Sequence, residues 1–265
     1  MLDRMLENLQ LAYSVFAGWH ALGHEEMDGG LARFVRDART GGVYDASFAH
    51  AVRASSTGEI EAFLAQLEEV FAGFEHRHVL WDPQLPPACE ARLVLEGYRP
   101  QNALLSLVLS GELTTRGPAV EIRPLESEAD WQSIAALKQL DHDEQVARGL
   151  HDAWPDAVSQ GLLAHRRVKH PAVRFHIARI EGVDCSFFSA WPGVGGMGMV
   201  EDLFTHPAYR GRGIGTALVA ACVDDARARG ARTVLVNPLL EDTPKRMYAA
   251  LGFEPLCVQR SYVKD

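Results

Sequence analysis

The stretch that most constrains this chain of 265 residues is Val200-Glu-Asp-Leu-Phe-Thr-His-Pro-Ala-Tyr-Arg-Gly-Arg-Gly-Ile-Gly-Thr-Ala-Leu-Val219. It reads as a strand, a turn, a glycine-rich loop and the start of a helix. Pro207 ends the strand, because proline has no N–H to give a ladder. Gly211, Gly213 and Gly215 keep side chains off the backbone, so that an anion can come close to it. The following helix is expected to run to about residue 229, with Gly230 as its C-cap, and its first-turn N–H groups point back into the loop. Free amides at the positive end of a helix form a cradle for a pyrophosphate.

The motif grammar narrows the ligand. No Gly-Lys-Ser/Thr follows the glycines, so the P-loop pattern fails, and the Gly-x-Gly-x-Gly order differs from the dinucleotide fingerprint. Arg210-Gly-Arg-Gly-Ile-Gly215 resembles the Arg/Gln-x-x-Gly-x-Gly/Ala signature of the GNAT superfamily of N-acetyltransferases. Glu201-Asp-Leu-Phe-Thr-His-Pro207 resembles that family's fourth strand, and Lys245-Arg-Met-Tyr-Ala-Ala-Leu-Gly-Phe253 its tyrosine-bearing helix and Leu-Gly-Phe turn.

The resemblance implies an α/β GNAT fold, with a central mixed, splayed sheet flanked by helices, and acetyl-CoA as cosubstrate. It assigns the cosubstrate to the backbone of Leu203 and Thr205 and to Arg210, Gly211, Arg212, Gly213, Ile214, Gly215 and Thr216. It implies Tyr248 as the acid that protonates the departing thiolate. Glu201 is favoured as amine-binding group or water-linked base and Asp202 is the runner-up, because neighbours on a strand face opposite sides and only one can face the acceptor. Asp141, His142, Asp143 and Glu144 fall in a charged segment, read as irregular to about Trp154, that lines the acceptor side in the family. Glu241 departs from the pattern: many relatives have asparagine there.

Composition excludes other classes. The formal net charge is −9 and there is no basic tract, so nucleic acid is not an expected partner. No apolar run approaches membrane-spanning length, and the start lacks the features of a signal peptide. Cys89, Cys185, Cys222 and Cys257 stand singly, which suggests neither zinc nor disulfides and fits a cytoplasmic protein. His20 and His24 stand four apart and could share a helical face with Glu25 as a metal site, but capping or solvated histidines are the preferred reading and no metal is expected. His76 and His78 are read as pointing apart, without a shared role.

Residues 1–117 carry 9 Arg, no Lys and 16 Asp and Glu, for a charge of −7, against −2 for residues 118–265. A shift of 155 residues lays 77–100 on 232–255 with seven of 24 positions identical and no gap. It also sets the helix at 57–71 on 212–226 and Ser55-Ser-Thr-Gly-Glu-Ile60 on the glycine loop, where both arginines are lost and Glu59 adds a negative charge. Leu93 takes the place of Tyr248. Residues 1–117 are therefore read as a truncated, degenerate GNAT-like half unable to bind the cosubstrate, and 118–265 as the acetyltransferase domain. Strands are expected near 41–53, 77–81 and 104–109, and a hairpin turning at Glu181-Gly182. Ser127 with Asp130 reads as a helix cap.

The expected activity is acetyl transfer to a primary amine of a small molecule or peptide by direct attack. A non-catalytic acyl-CoA sensor or interaction module is the alternative. A homodimer is compatible with the sequence, but no residue specifies one.

Overall fold

The computed structural model describes the backbone of residues 2–40, 42–80, 82–101, 103–149, 153 and 155–265, and the side chains of all of these but residues 2–5, 40, 156 and 157. Gly41, Trp81 and Trp154, which bound three of the expected segments, lie outside the described residues. The first half runs α1 (Leu2–Ala21), β1 (Glu25–Asp28), β2 (Arg33–Arg36), β3 (Phe48–His50), α2 (Thr57–Val70), β4 (Arg77–Val79), α3 (Pro87–Leu95), β5 (Arg99–Pro100) and β6 (Leu104–Leu109). The second runs β7 (Glu121–Pro124), α4 (Glu128–Ala147), α5 (Asp156–Arg167), β8 (Arg174–Ile180), β9 (Val183–Val194) and β10 (Met197–Thr205). It continues with α6 (Ile214–Ala228), β11 (Thr233–Val236), α7 (Pro244–Ala250), β12 (Glu254–Gln259) and β13 (Tyr262–Lys264).

The strands form two mixed sheets, ordered β1-β2-β3-β4-β13-β5 and β12-β6-β11-β10-β9-β8-β7. The last strand of each half sits in the other half's sheet. β6 lies between β11 and β12, and β13 lies between β4 and β5. The 155-residue offset places β6 on the segment that holds β13, and likewise pairs α2 with α6, β4 with β11 and α3 with α7. The repeat in the sequence is thus a repeat of elements whose closing strands are exchanged. The division at 117/118 does not coincide with the division between the sheets.

Local sequence explains most of the elements. Ser56 with Glu59 and Ser127 with Asp130 form capping boxes at the starts of α2 and α4. The β8–β9 hairpin turns at Glu181-Gly182, both at positive φ. Two expectations fail. The stretch expected as a strand at 41–53 holds a 3₁₀ turn at Tyr44–Ala46 and only Phe48–His50 in the sheet. The charged segment at 141–147 is helical, because Asp141 and Asp143 are satisfied by Lys138, Gln139 and Gln145 at helical spacing.

One face of the larger sheet is covered by α6, whose Ile214, Leu218, Val219, Cys222 and Val223 pack on Ala178, Phe188, Ala190 and Val200. The other face is covered by α1 and α4, with Val15, Phe16, Trp19, Ile134 and Leu137 against Phe187, Trp191, Met197 and Met199. Each large side chain fully buried in this way contributes roughly 1.5–3 kcal/mol. The helix at the start of the chain therefore belongs to the core beneath the second half's central strand. No helix among the described residues is long and apolar enough to cross a membrane.

Candidate active site

The glycine loop leaves β10 at Thr205, turns through Pro207–Tyr209 and enters α6 at Ile214. Gly211 and Gly213 have φ of 74° and 75°, the left-handed region that glycine enters without steric cost. Gly213 is the N-cap of α6 and offers no side chain to the first turn. Among the described residues the N–H groups of Gly211, Arg212, Gly213, Ile214, Gly215 and Thr216 have no acceptor. A Cβ on Gly211 would meet nothing within 4 Å, whereas one on Gly213 would come within 2.7 Å of Pro118. Open amides at a helix start form a cradle of the kind that receives a phosphate group. Arg210 lies across the loop, its Nε donating to the Thr205 carbonyl at 2.9 Å and its fork holding Glu144 of α4 at 2.6 and 2.5 Å. Arg212 lies over the Tyr209 ring.

The helix at the equivalent place in the first half is closed. The Ser55 and Ser56 amides donate to Glu59 Oε2 at 3.0 and 2.9 Å, and Ser56 Oγ accepts from Glu59 N. Those hydrogen bonds hold the Glu59 carboxyl well below its ordinary range. The chain's own carboxylate occupies the end of α2 where an anion would otherwise sit.

β10 pairs with parallel β11 only through Met197–Met199, and beyond that only β9 remains as its partner. The two parallel strands thus part at Val200, as expected for a splayed sheet. The register with β9 also breaks between Glu201 and Phe204, where Asp202 takes a φ of 72°. Such a backbone costs of order 1–3 kcal/mol and persists only where its surroundings enforce it. Here they do: Ser189 Oγ donates to the Glu201 carbonyl and Ser186 Oγ to that of Phe204. Leu203 falls inside the break without a ladder partner.

The bulge overturns the alternation argument for Glu201 and Asp202, since strict facing of neighbours requires an unbroken pleat. Arg166 of α5 grips both oxygens of Asp202, at 2.7 and 2.8 Å, and Lys138 Nζ stands 3.6 Å away. Burial pushes the Asp202 carboxyl up, but Arg166 and Lys138 outweigh it and leave the group well below the carboxylate range. Asp202 is an anchored anion, unsuited to the base's role for which it was runner-up. Glu201 is its opposite. Its Oε2 is shut from solvent with no hydrogen-bond partner, and burial, reinforced by the charge of Asp202, pushes the carboxyl up to about 8. Sequence reasoning missed Arg166 and Lys138, which come from other elements and carry no motif.

Tyr248 of α7 is 3 % exposed and packs edge-on against Phe253. Its hydroxyl makes no hydrogen bond to a described residue. Burial, then the fields of Glu201 and Cys222, raise the phenol well above 10.

The histidines expected to be solvated are buried. His24 Nδ1 lies 2.9 Å from Asp37 and its Nε2 lies 2.7 Å from His165 Nδ1. His76 and His78, two residues apart, are on one side of the chain, contrary to expectation, and both pack on Tyr44. No group of three or more metal-ligating side chains is present among the described residues. Glu144, weighed as a substrate contact, is bound to Arg210, and Asp141 to Lys138.

The acetyltransferase (GNAT) domain family matches residues 171–255, which contain β10, the glycine loop and Tyr248. An IAA acetyltransferase of Azospirillum brasilense is 34% identical over 113 residues, which are 42% of this chain and 72% of that protein. This chain belongs to the GNAT acetyltransferase family. GNAT acetyltransferases use acetyl-CoA. The fold extends over almost the whole chain in a GCN5-related N-acetyltransferase from Kribbella flavida, with a TM-score of 0.68 at 17% identity, covering 96% of this chain and 94% of that one. A tandem GNAT protein from the clavulanic acid biosynthesis pathway matches with a TM-score of 0.59 at 15% identity, over 90% of this chain and 80% of its own.

Proposed function

We propose that this GNAT protein transfers an acetyl group from acetyl-CoA to a primary amine of a small molecule or peptide by direct attack. The observation that carries the reading is Glu201, a partly buried side chain whose Oε2 is shut from solvent and unpartnered, where β10 parts from β11. An unmatched buried acceptor costs about 1–3 kcal/mol, and a neutral amine donating an N–H to it offsets that cost. The amides from Gly211 to Thr216 hold the pyrophosphate, and the unpaired edge at Leu203 lies where the pantetheine arm leaves the cradle.

In the reaction the amine nitrogen forms a bond to the thioester carbonyl carbon and the carbon–sulfur bond breaks. The proton lost by the amine goes to Glu201, whose pKa of about 8 suits a base that works near neutrality. The thiolate takes a proton from Tyr248, which burial keeps fully protonated. The same burial that raises the phenol also raises a thiol held beside it, as it does for Cys222. Asp202, fixed by Arg166, maintains the bulge that presents Glu201.

We also read residues 1–117 as a degenerate, non-catalytic GNAT-like half that walls the acceptor cleft; the self-capped end of α2 supports this. The test is release of free CoA thiol from acetyl-CoA with a broad panel of amines. Amine-dependent release by the wild type and its loss in Glu201→Gln are expected. Tight binding of acetyl-CoA without release for any amine would favour the sensor reading instead.

A further inference from the structure

Four buried polar side chains cluster between α1 and the end of α5, and none of them is used by the reaction above. Lys169, 1% exposed, donates from Nζ to the His20 carbonyl at 3.1 Å and stands 4.7 Å above the Trp19 ring. It has no carboxylate partner among the described residues. Trp19 Nε1, His20 Nδ1 and His165 Nε2 are each buried without a hydrogen-bond partner. The rings are neighbours: Trp19 lies 5.0 Å from His20 and 6.1 Å from His165, and the two histidines are stacked at 6.3 Å.

Three orphaned polar atoms beside a buried, unpaired lysine amount to several unmet hydrogen bonds in one place, where native interiors leave few. The donors dominate. Trp19 offers one N–H, Lys169 has N–H groups beyond the one it gives to His20, and His20 Nδ1 is free to carry a proton. The exception is His165. Asp37 accepts from His24 Nδ1, so a neutral His24 accepts at Nε2 from His165 Nδ1, which leaves His165 Nε2 as a bare lone pair in the cluster. The charged neighbours are Asp45 from the Tyr44–Ala46 turn, Arg166 and Asp202. Asp45 makes no ion pair with Lys169, and the other two are occupied with each other.

The cluster is linked to the proposed acceptor site through the end of α5. Lys169 follows Arg166 by one turn, its amide donating to the Arg166 carbonyl at 3.2 Å, and Arg166 holds Asp202, the neighbour of Glu201. We propose that Lys169, Trp19 and His20 form a recognition subsite for a carboxylate carried by the acceptor, which is then an amino acid or another amine bearing an acidic group. This rests on the transferase reading and names its substrate class. The amine end goes to Glu201 and the acid end to Lys169.

The test is calorimetric binding of N-acetyl amino acids, the products of such a reaction, and of their primary amides to the full chain saturated with CoA. At least one carboxylate is expected to bind about tenfold or more tightly than its amide, the order of one charge-assisted hydrogen bond. Lys169→Met should erase that preference while leaving the affinities for the amide and for acetyl-CoA unchanged; a purely structural lysine would lower all three. If Lys169→Met does not fold, Trp19→Phe, which removes the N–H and keeps an aromatic ring, should reduce the preference. Equal binding of acid and amide, a preference for the amide, no binding by any member, or a preference that survives the substitutions overturns the subsite. Amine acetylation without any carboxylate preference would sink this inference and leave the transferase reading standing, whereas absence of acetylation with every amine would sink the latter.

Discussion

Arg166 binds both oxygens of Asp202, at 2.7 and 2.8 Å, and so leaves Glu201, the next residue back, as the carboxyl with an oxygen that no side chain reaches. Two adjacent acids are thereby driven to opposite ionisation behaviour by their surroundings, one held as an anion and the other held neutral up to about pH 8. That division assigns their roles.

The first prediction is a pH profile. With Glu201 as base, kcat/KM should rise with pH through about 8, because below that the carboxyl is protonated and cannot accept the amine's proton. Glu201→Gln should remove this arm and retain only that of the acceptor amine. Stability should move the other way. The folded pKa lies above the unfolded value near 4.3, so this group's contribution is complete below the unfolded pKa and is lost as pH rises through the folded one. Glu201→Gln should gain roughly 1–3 kcal/mol on wild type at pH 9 in denaturant titrations.

Asp202→Asn should behave as a structural lesion. It leaves the buried Arg166 guanidinium without its anion, and breaking one partner of such a pair costs about 3–5 kcal/mol. The sign is again definite: the folded pKa is depressed, so the stabilisation is present above the unfolded pKa and disappears as pH falls through the folded one. Urea melts at pH 7 and pH 3 that show equal losses would contradict the assignment.

The glycine loop can be probed at Gly211, where a side chain has open space, rather than at Gly213, which packs on Pro118. Asn and Asp both tolerate the left-handed backbone and have the same shape. Gly211→Asp should weaken acetyl-CoA by about tenfold or more relative to Gly211→Asn, since only the former brings an anion to the cradle. Equal affinities measured by calorimetry would show that the loop does not face the pyrophosphate.

Of the two helix ends that the repeat equates, that of α2 is closed by Glu59 and that of α6 is open, so acetyl-CoA should bind once per chain and raise the melting temperature. Glu59→Ala opens the end of α2, yet that loop lacks both arginines, and stoichiometry should stay at one. Two equivalent sites in wild type would refute the degenerate reading of the first half.

The legible parts of this molecule were those encoded locally. The cradle, the capping boxes and Tyr248 announce themselves through glycine spacing, Ser-x-x-Asp/Glu patterns and a motif beside Phe253, and the 155-residue repeat predicted which elements correspond. The exchange of β6 and β13 was not legible, because each strand has the same apolar character whichever sheet receives it. Nor was the contrast between Glu201 and Asp202. It arises from a bulge and from Arg166, 36 residues away in sequence, and neither leaves a trace in strand periodicity. The buried histidines were misjudged for a similar reason: polar spacing on α1 looks solvated until α5 closes over it.

The most direct test of the catalytic account is a rapid-quench single turnover with trideuterated acetyl-CoA, following labelled N-acetyl product, free thiol and protein mass together. Product and thiol should appear at one rate and in equal amounts with no acetylated protein. Tyr248→Phe should slow both by about 10²–10⁴-fold, the usual share of a general acid, with the affinity for acetyl-CoA unchanged. A labelled acetyl-protein that forms and decays before product, or a Phe variant that turns over at the wild-type rate, would contradict it.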